Sequence, residues 1–172
     1  MDALGIADGA VVADLGAGGG WFTVRLARRV APKGLVYAED IQPQMISAIE
    51  RRVQTERLSN VRPILGTPRD PRLPAGLDVV LIADAYHEME DPVSLLRNVA
   101  RALKPQGRVG VVDFTPGGGG PGPDPQERVS PDAIIKAAAS AGFSLAQRDP
   151  LPPFQFLLVF TPRSDAARST KP

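Results

Sequence analysis

Short apolar runs rich in valine alternate along this chain with longer stretches whose apolar positions recur every three to four residues. The first run, AVVADL at 10–15, predicts a buried strand, and residues 22–30 follow as a helix with Phe22, Leu26 and Val30 on one face. GLVYAED (34–40) predicts a second strand, stopped by Gln42-Pro43, which opens a helix over about 43–57 carrying Met45, Ile49 and Val53. VRPIL (61–65) reads as a weaker strand, because Pro63 has no N–H to give and belongs near a sheet edge. LDVVLIAD (77–84) is the most apolar run. A strongly periodic helix at 94–103 ends at Lys104-Pro105-Gln106-Gly107, and RVGVVDF (108–114) gives a fifth strand.

Strands and helices taking turns imply right-handed crossovers and a parallel sheet covered on both faces. Strands that are apolar throughout, rather than at every second position, agree with that. The pattern then changes. TPGGGGPGPDPQER (115–128) predicts a mobile loop or lid. Ser130-Pro131-Asp132 caps a helix reaching about residue 140. Residues 144–150 and 154–162 read as two strands joined by a short proline-rich turn, hence antiparallel. The expectation is one domain over 1–162 with a polar, disordered tail at 163–172.

Composition narrows the chemistry. The chain has 172 residues, 43% of them hydrophobic, with a net charge of +1 and no clustering of its basic residues, so a nucleic-acid partner is not expected. It has no cysteine, which removes thiolate metal sites and thiol nucleophiles, and its single histidine, His87, removes a multi-histidine metal centre. No apolar run approaches the roughly 18 residues of a membrane span. The N-terminus lacks the basic start and apolar core of a signal peptide, and a cytoplasmic protein is expected.

VVADLGAGGGWF (11–22) carries the most informative spacing. A strand that ends in glycines and feeds a helix presents free N–H groups and a positive dipole end to an anionic group. A dinucleotide site starting at Gly16 would need glycine at 21, where Trp21 stands. The glycines fall at 16, 18, 19 and 20, and Asp14 ahead of them suits an ammonium and repels a pyrophosphate. S-adenosylmethionine, a nicotinamide dinucleotide and a ligand-free structural turn are the three readings, and the spacing favours the first.

DLGAGGG followed by WFTVRLA resembles motif I of the class I S-adenosylmethionine-dependent methyltransferases. VYAEDIQPQMI, LPAGLDVVLIADAYHEM and LLRNVARALKPQGRVGVVDF resemble, in order, that family's second strand, fourth strand, and the helix and strand that follow. The likeness runs from about residue 8 to 161. It implies a doubly wound, Rossmann-like α/β fold with a mostly parallel seven-stranded sheet, order 3-2-1-4-5-7-6, the last strand antiparallel. It also implies S-adenosyl-L-methionine as cofactor, a small-molecule methyl acceptor and in-line attack on the sulfonium methyl. A cofactor-fold protein that binds without turnover is the alternative.

The resemblance places Asp14, Gly16, Ala17 and Gly18 at the methionine end of the cofactor, Asp40 on the ribose hydroxyls and Ile41 against the adenine. Glu39 competes with Asp40, but strand alternation turns it to the other face. Thr67 and Pro68 stand where the family usually offers an acid and an N–H to adenine, so Asp70, the nearest carboxylate, takes the adenine contact or serves only a turn before Pro71. Asp84 and Ala85 fall beside the cofactor's amino-acid end, and Tyr86 and His87 face the methyl group, with His87 as general base or as lining. Asp113 reaches the same edge, and Trp21, Phe114 and Phe154 are further candidate walls. Family members carry helices ahead of motif I, whereas about ten residues precede the first strand here. An open site is therefore expected, closed by a second subunit or by residues 115–128.

Overall fold

The structure, a computed structural model, describes residues 1–117 and 119–163. A 3-10 turn at Asp2–Leu4 leads to β1 (Val11–Leu15), α1 (Trp21–Val30), β2 (Leu35–Asp40), α2 (Pro43–Thr55), β3 (Val61–Leu65) and β4 (Leu77–Ala83). A second 3-10 turn, Tyr86–Glu88, precedes α3 (Pro92–Ala102), β5 (Leu103–Phe114), α4 (Pro131–Ser140), β6 (Phe143–Leu151) and β7 (Gln155–Pro162). The seven strands form one sheet in the order β3-β2-β1-β4-β5-β7-β6. The first five run parallel, and β7 lies antiparallel to both β5 and β6. This is the topology the sequence resemblance implied.

Strand alternation explains how both faces are filled. On β1, Ala13 and Leu15 join a core with Leu96 and Val99 of α3 and Ile134 of α4, whereas Val12 faces Leu26 of α1 and Ile49 of α2. Leu4 and Ile6 complete the second core over Val79 and Val159. Asp91 sets the start of α3 two residues earlier than the periodicity suggested: its carboxylate accepts the Ser94 N–H at 3.1 Å, and Pro92 occupies the first helical position. Ser130 caps α4 through the Ala133 N–H in the same way.

Two connections shape the site. The connection from β3 to β4, residues 66–76, all described, forms no helix; Pro71 is buried in it and Leu73 packs against the first core. The glycine- and proline-rich stretch after β5, expected to be mobile, folds around one side chain. Arg128, buried, donates to the carbonyls of Thr115, Gly119, Pro121 and Pro123 at 3.1–3.4 Å, with its guanidinium carbon 5.3 Å from the Phe114 ring centroid. At the C-terminal end, the Arg163 N–H donates to the Gly142 carbonyl at 2.9 Å. The rest of the expected tail, 164–172, lies outside the described residues.

Candidate active site

Loops leaving the carboxyl ends of β1, β2, β3 and β4 surround a cavity of about 300 Å³. Gly16 makes their close approach possible. Its φ is +70°, and a Cβ there would stand 2.7 Å from the Ala85 Cβ, so a side chain would wedge the β1 and β4 loops apart. Gly16→Ala is expected to cost about 1–3 kcal/mol of unfolding free energy, read as a lowered urea midpoint. Asp84, next to that contact, holds a left-handed backbone at φ +54° without being glycine. Its N–H donates to the Val112 carbonyl at 2.9 Å, and its carboxylate accepts Gln155 Nε2 at 2.5 Å. Burial, and then the nearby Asp113, push the Asp84 carboxyl above the usual range.

Charge is the cavity's defining property. Glu39, Asp40, Asp84, Glu88 and Glu90 line it, and no Lys, Arg or His is among its lining residues. A pyrophosphate would meet repulsion there, which argues against the nicotinamide reading; a ligand bearing positive charge would be drawn in. Asp40 is held by two backbone donors, Gly18 N–H on Oδ2 and Gln42 N–H on Oδ1, both at 2.9 Å. Each oxygen keeps a second lone pair for a ligand hydroxyl. Beside it Ile41 is 49% exposed, an apolar surface at the cavity rim.

Other predicted residues sit differently. Asp14 is buried behind the glycine loop, where it accepts the Thr23 hydroxyl at 2.6 Å, and burial pushes its carboxyl up to about 6. It is not among the residues lining the cavity. Ala17 contributes through its backbone, donating to the Glu39 carbonyl at 2.8 Å. Asp70 serves a turn: its N–H donates to the Thr67 hydroxyl oxygen at 3.0 Å and its carboxylate accepts the Arg72 N–H at 2.9 Å. Thr67 and Pro68 line the cavity in its place. Trp21 lies half exposed on α1 under the Arg25 guanidinium. Tyr86 turns into the core, and burial pushes its unpartnered hydroxyl up to about 12.

Glu39 was the residue alternation turned to the face opposite Asp40. Its side chain does leave the opposite face of β2, which no helix covers beyond β3, and Glu39 borders the cavity with its carboxyl buried between Gly16 and Gly66.

A second, wider cavity of about 750 Å³ adjoins the first, and the two share Asp84 and Glu88. His87 and Phe114 line it, together with Gly122, Pro123 and Glu127 of the loop that Arg128 gathers. The imidazole is 8% exposed, with Nδ1 3.1 and 3.2 Å from the two carboxylate oxygens of Asp113. Asp113 is fully buried and also accepts the backbone N–H groups of His87, at 3.2 Å, and Phe114, at 2.8 Å. A carboxylate so placed is an acceptor only, which puts the imidazole proton on Nδ1 and the free lone pair on Nε2. Nε2 has Glu88 Oε1 at 3.7 Å, beyond hydrogen-bonding distance. Sequence reasoning left Asp113 with a vaguer role; the pairing joins residues 26 positions apart, which only the parallel register of β4 and β5 brings together.

The cavity suits S-adenosylmethionine. Asp40 has free lone pairs that could take ribose hydroxyls, Ile41 an apolar surface and Asp84 a carboxylate that could face an ammonium, and the remaining acids give a field that favours a sulfonium. A family model described as a methyltransferase domain matches residues 12–107. A demethylmenaquinone methyltransferase of Geobacillus is 29% identical over 110 residues, covering 63% of this chain and 47% of that protein. The chain thus spans about half the length of the curated relatives it matches. The crystal structure of a SAM-dependent methyltransferase from Aquifex aeolicus superposes with a TM-score of 0.89 at 26% identity, covering 92% of this chain and 85% of that one. An O-methyltransferase from neocarzinostatin biosynthesis, solved with S-adenosyl-L-homocysteine and 1,4-dihydroxy-2-naphthoic acid, gives a TM-score of 0.75 at 25% identity, over 90% of this chain and 49% of that one. On its sheet order, its acidic cofactor cleft and these matches, the chain belongs to the class I S-adenosylmethionine-dependent methyltransferases.

Proposed function

We propose that the chain transfers a methyl group from S-adenosylmethionine to a small-molecule acceptor seated in the second cavity, with His87 as the base. The observation that carries this reading is the junction of the two cavities at Asp84 and Glu88, with the His87–Asp113 pair beside it. Bound in the first cavity, the cofactor supplies an electrophilic methyl on a sulfonium. Asp40 and Ile41 hold its nucleoside half, and the Gly16–Gly18 turn and Asp84 its amino-acid half. His87 Nε2 takes the proton that the acceptor's hydroxyl or amine gives up. The imidazolium so formed is stabilised by Asp113 on Nδ1 and by Glu88 near Nε2.

The second cavity carries Asp84, Glu88 and Glu127 and no Lys or Arg among its lining residues. Its acceptor is therefore neutral or cationic, and a carboxylated one is opposed by like charge. Calorimetric titration with S-adenosylhomocysteine tests the cofactor half of the proposal. Asp40→Ala is expected to weaken binding about 10–100-fold, the loss of one or two charge-assisted hydrogen bonds. No heat at millimolar ligand would overturn the proposal. Binding without transfer to any member of a neutral and cationic acceptor panel would leave a cofactor-binding protein without turnover.

A further inference from the structure

Glu39 carries a chemistry that holding the cofactor in place does not require. Its side chain lies at the end of β2, 2% exposed, and its carboxyl has one hydrogen bond, from the Gly16 N–H to Oε2 at 3.3 Å. Oε1 is buried without a partner, and Glu39 is among the residues that line the first cavity. The surrounding backbone leaves room for it: a Cβ at Gly66 would lie 1.9 Å from Oε1.

Among the described residues, the charged groups that act on Glu39 are of one sign. Asp14 from β1, Asp40 from β2 and Asp70 from the loop after β3 all oppose its ionisation, and Asp84, Glu88 and Glu90 line the same space. The two arginines of the 66–76 connection are engaged elsewhere. Arg72 donates to the Leu65 carbonyl at 3.4 Å, and Arg69 pairs with Asp91 at 3.4 Å. Burial first, and then these acids, push the Glu39 carboxyl up to about 8. A buried acid with an unsatisfied oxygen, and no cation beside it among the described residues, stays neutral until a cation arrives.

We propose that Glu39 reads the charge of the ligand: neutral in the empty cleft, it releases its proton to solvent when the sulfonium-bearing cofactor enters, so the cleft prefers S-adenosylmethionine to the neutral-sulfur product S-adenosylhomocysteine. This rests on the methyltransferase reading above. Once the methyl group has left, the sulfur carries no charge, Glu39 takes back a proton, and the product is held less tightly. The two ligands share the ammonium, carboxylate, ribose and adenine, so the difference between them isolates the sulfonium.

Isothermal titration of the full chain with each ligand, from pH 6 to 9 and in two buffers of different protonation enthalpy, counts the protons exchanged. At pH 7, S-adenosylmethionine is expected to release about one proton per site, and its affinity to rise up to about tenfold per pH unit before levelling above pH 8. S-adenosylhomocysteine should release clearly less. In Glu39→Gln, a neutral residue of the same shape, the difference in proton release disappears and the affinity ratio of the two ligands falls by about tenfold or more. Equal release for both ligands in the parent protein overturns the proposal without need of the variant, as does release unchanged in Glu39→Gln. Failure of both ligands to bind overturns the methyltransferase reading and this inference with it; binding without Glu39-linked protons overturns this inference alone.

Discussion

Replacing His87 with alanine should lower the turnover number by roughly 10²–10⁴-fold, the usual contribution of a positioned general base. Affinity for S-adenosylhomocysteine should stay within about twofold, because His87 lines the second cavity and not the first. The split follows from the geometry. Asp113, fully buried, fixes the ring by its bonds to Nδ1 and the backbone, and leaves only Nε2 to meet an acceptor. Asp113→Asn would test the same arrangement from behind. An amide cannot accept as a carboxylate does from three N–H donors, so the imidazole loses its preferred tautomer and turnover falls with it. Single-turnover rates beside a calorimetric affinity for each variant make the measurement. Parent-like turnover in His87→Ala would reduce the residue to lining.

Without ligand the protein should lose stability as pH rises from about 4.5 to about 8, and Glu39→Gln should flatten that slope. The Glu39 carboxyl stands at about 8 in the folded chain against 4.5 for an ordinary glutamate, so the native state holds a proton that the unfolded chain gives up. A raised carboxyl of this kind favours the fold fully below pH 4.5, and the advantage is gone above 8. The span corresponds to at most about 5 kcal/mol. Asp14, raised from 3.8 to about 6, adds a trend of the same sign over the lower part of the window. Urea unfolding midpoints of parent and variant at pH 5, 6.5 and 8 give the comparison; parallel curves would mean that Glu39 is ionised in the folded protein throughout.

The sheet could be read from the chain because its inner strands are apolar at consecutive positions. Val79, Val80, Leu81 and Ile82 have no solvent-facing side, and no other element type suits such a run. Asp40 and Ile41 were reachable for a different reason: their positions depend on the length of β2 and on nothing distant. What stayed hidden depends on neighbours far along the chain. Alternation sends Glu39 to the correct face, yet only the unhelical path of residues 66–76 shows that this face opens onto the cavity. Asp70 and Asp84 look alike in sequence, an acid after a strand. The Thr67 hydroxyl draws Asp70 into a local turn, whereas Gln155, from β7, steadies Asp84 at the sheet edge. Asp14 precedes the glycines as expected, but Thr23 on α1 claims its carboxylate.

Arg128 also bears on how this protein could change. One guanidinium gathers the main chain of a wall that would otherwise need apolar side chains of its own, and it does so through carbonyl groups that every residue possesses. Gly120 and Gly122 are still constrained, since a Cβ at either would stand 2.4–2.6 Å from the Phe154 or Phe114 ring; exposed positions such as Asp124 and Gln126 are less so, provided the backbone still curls around that hub. Under the proposed function, exchanges at such positions in the wall would alter the second cavity while leaving the first, built on β1, β2 and β4, as it is.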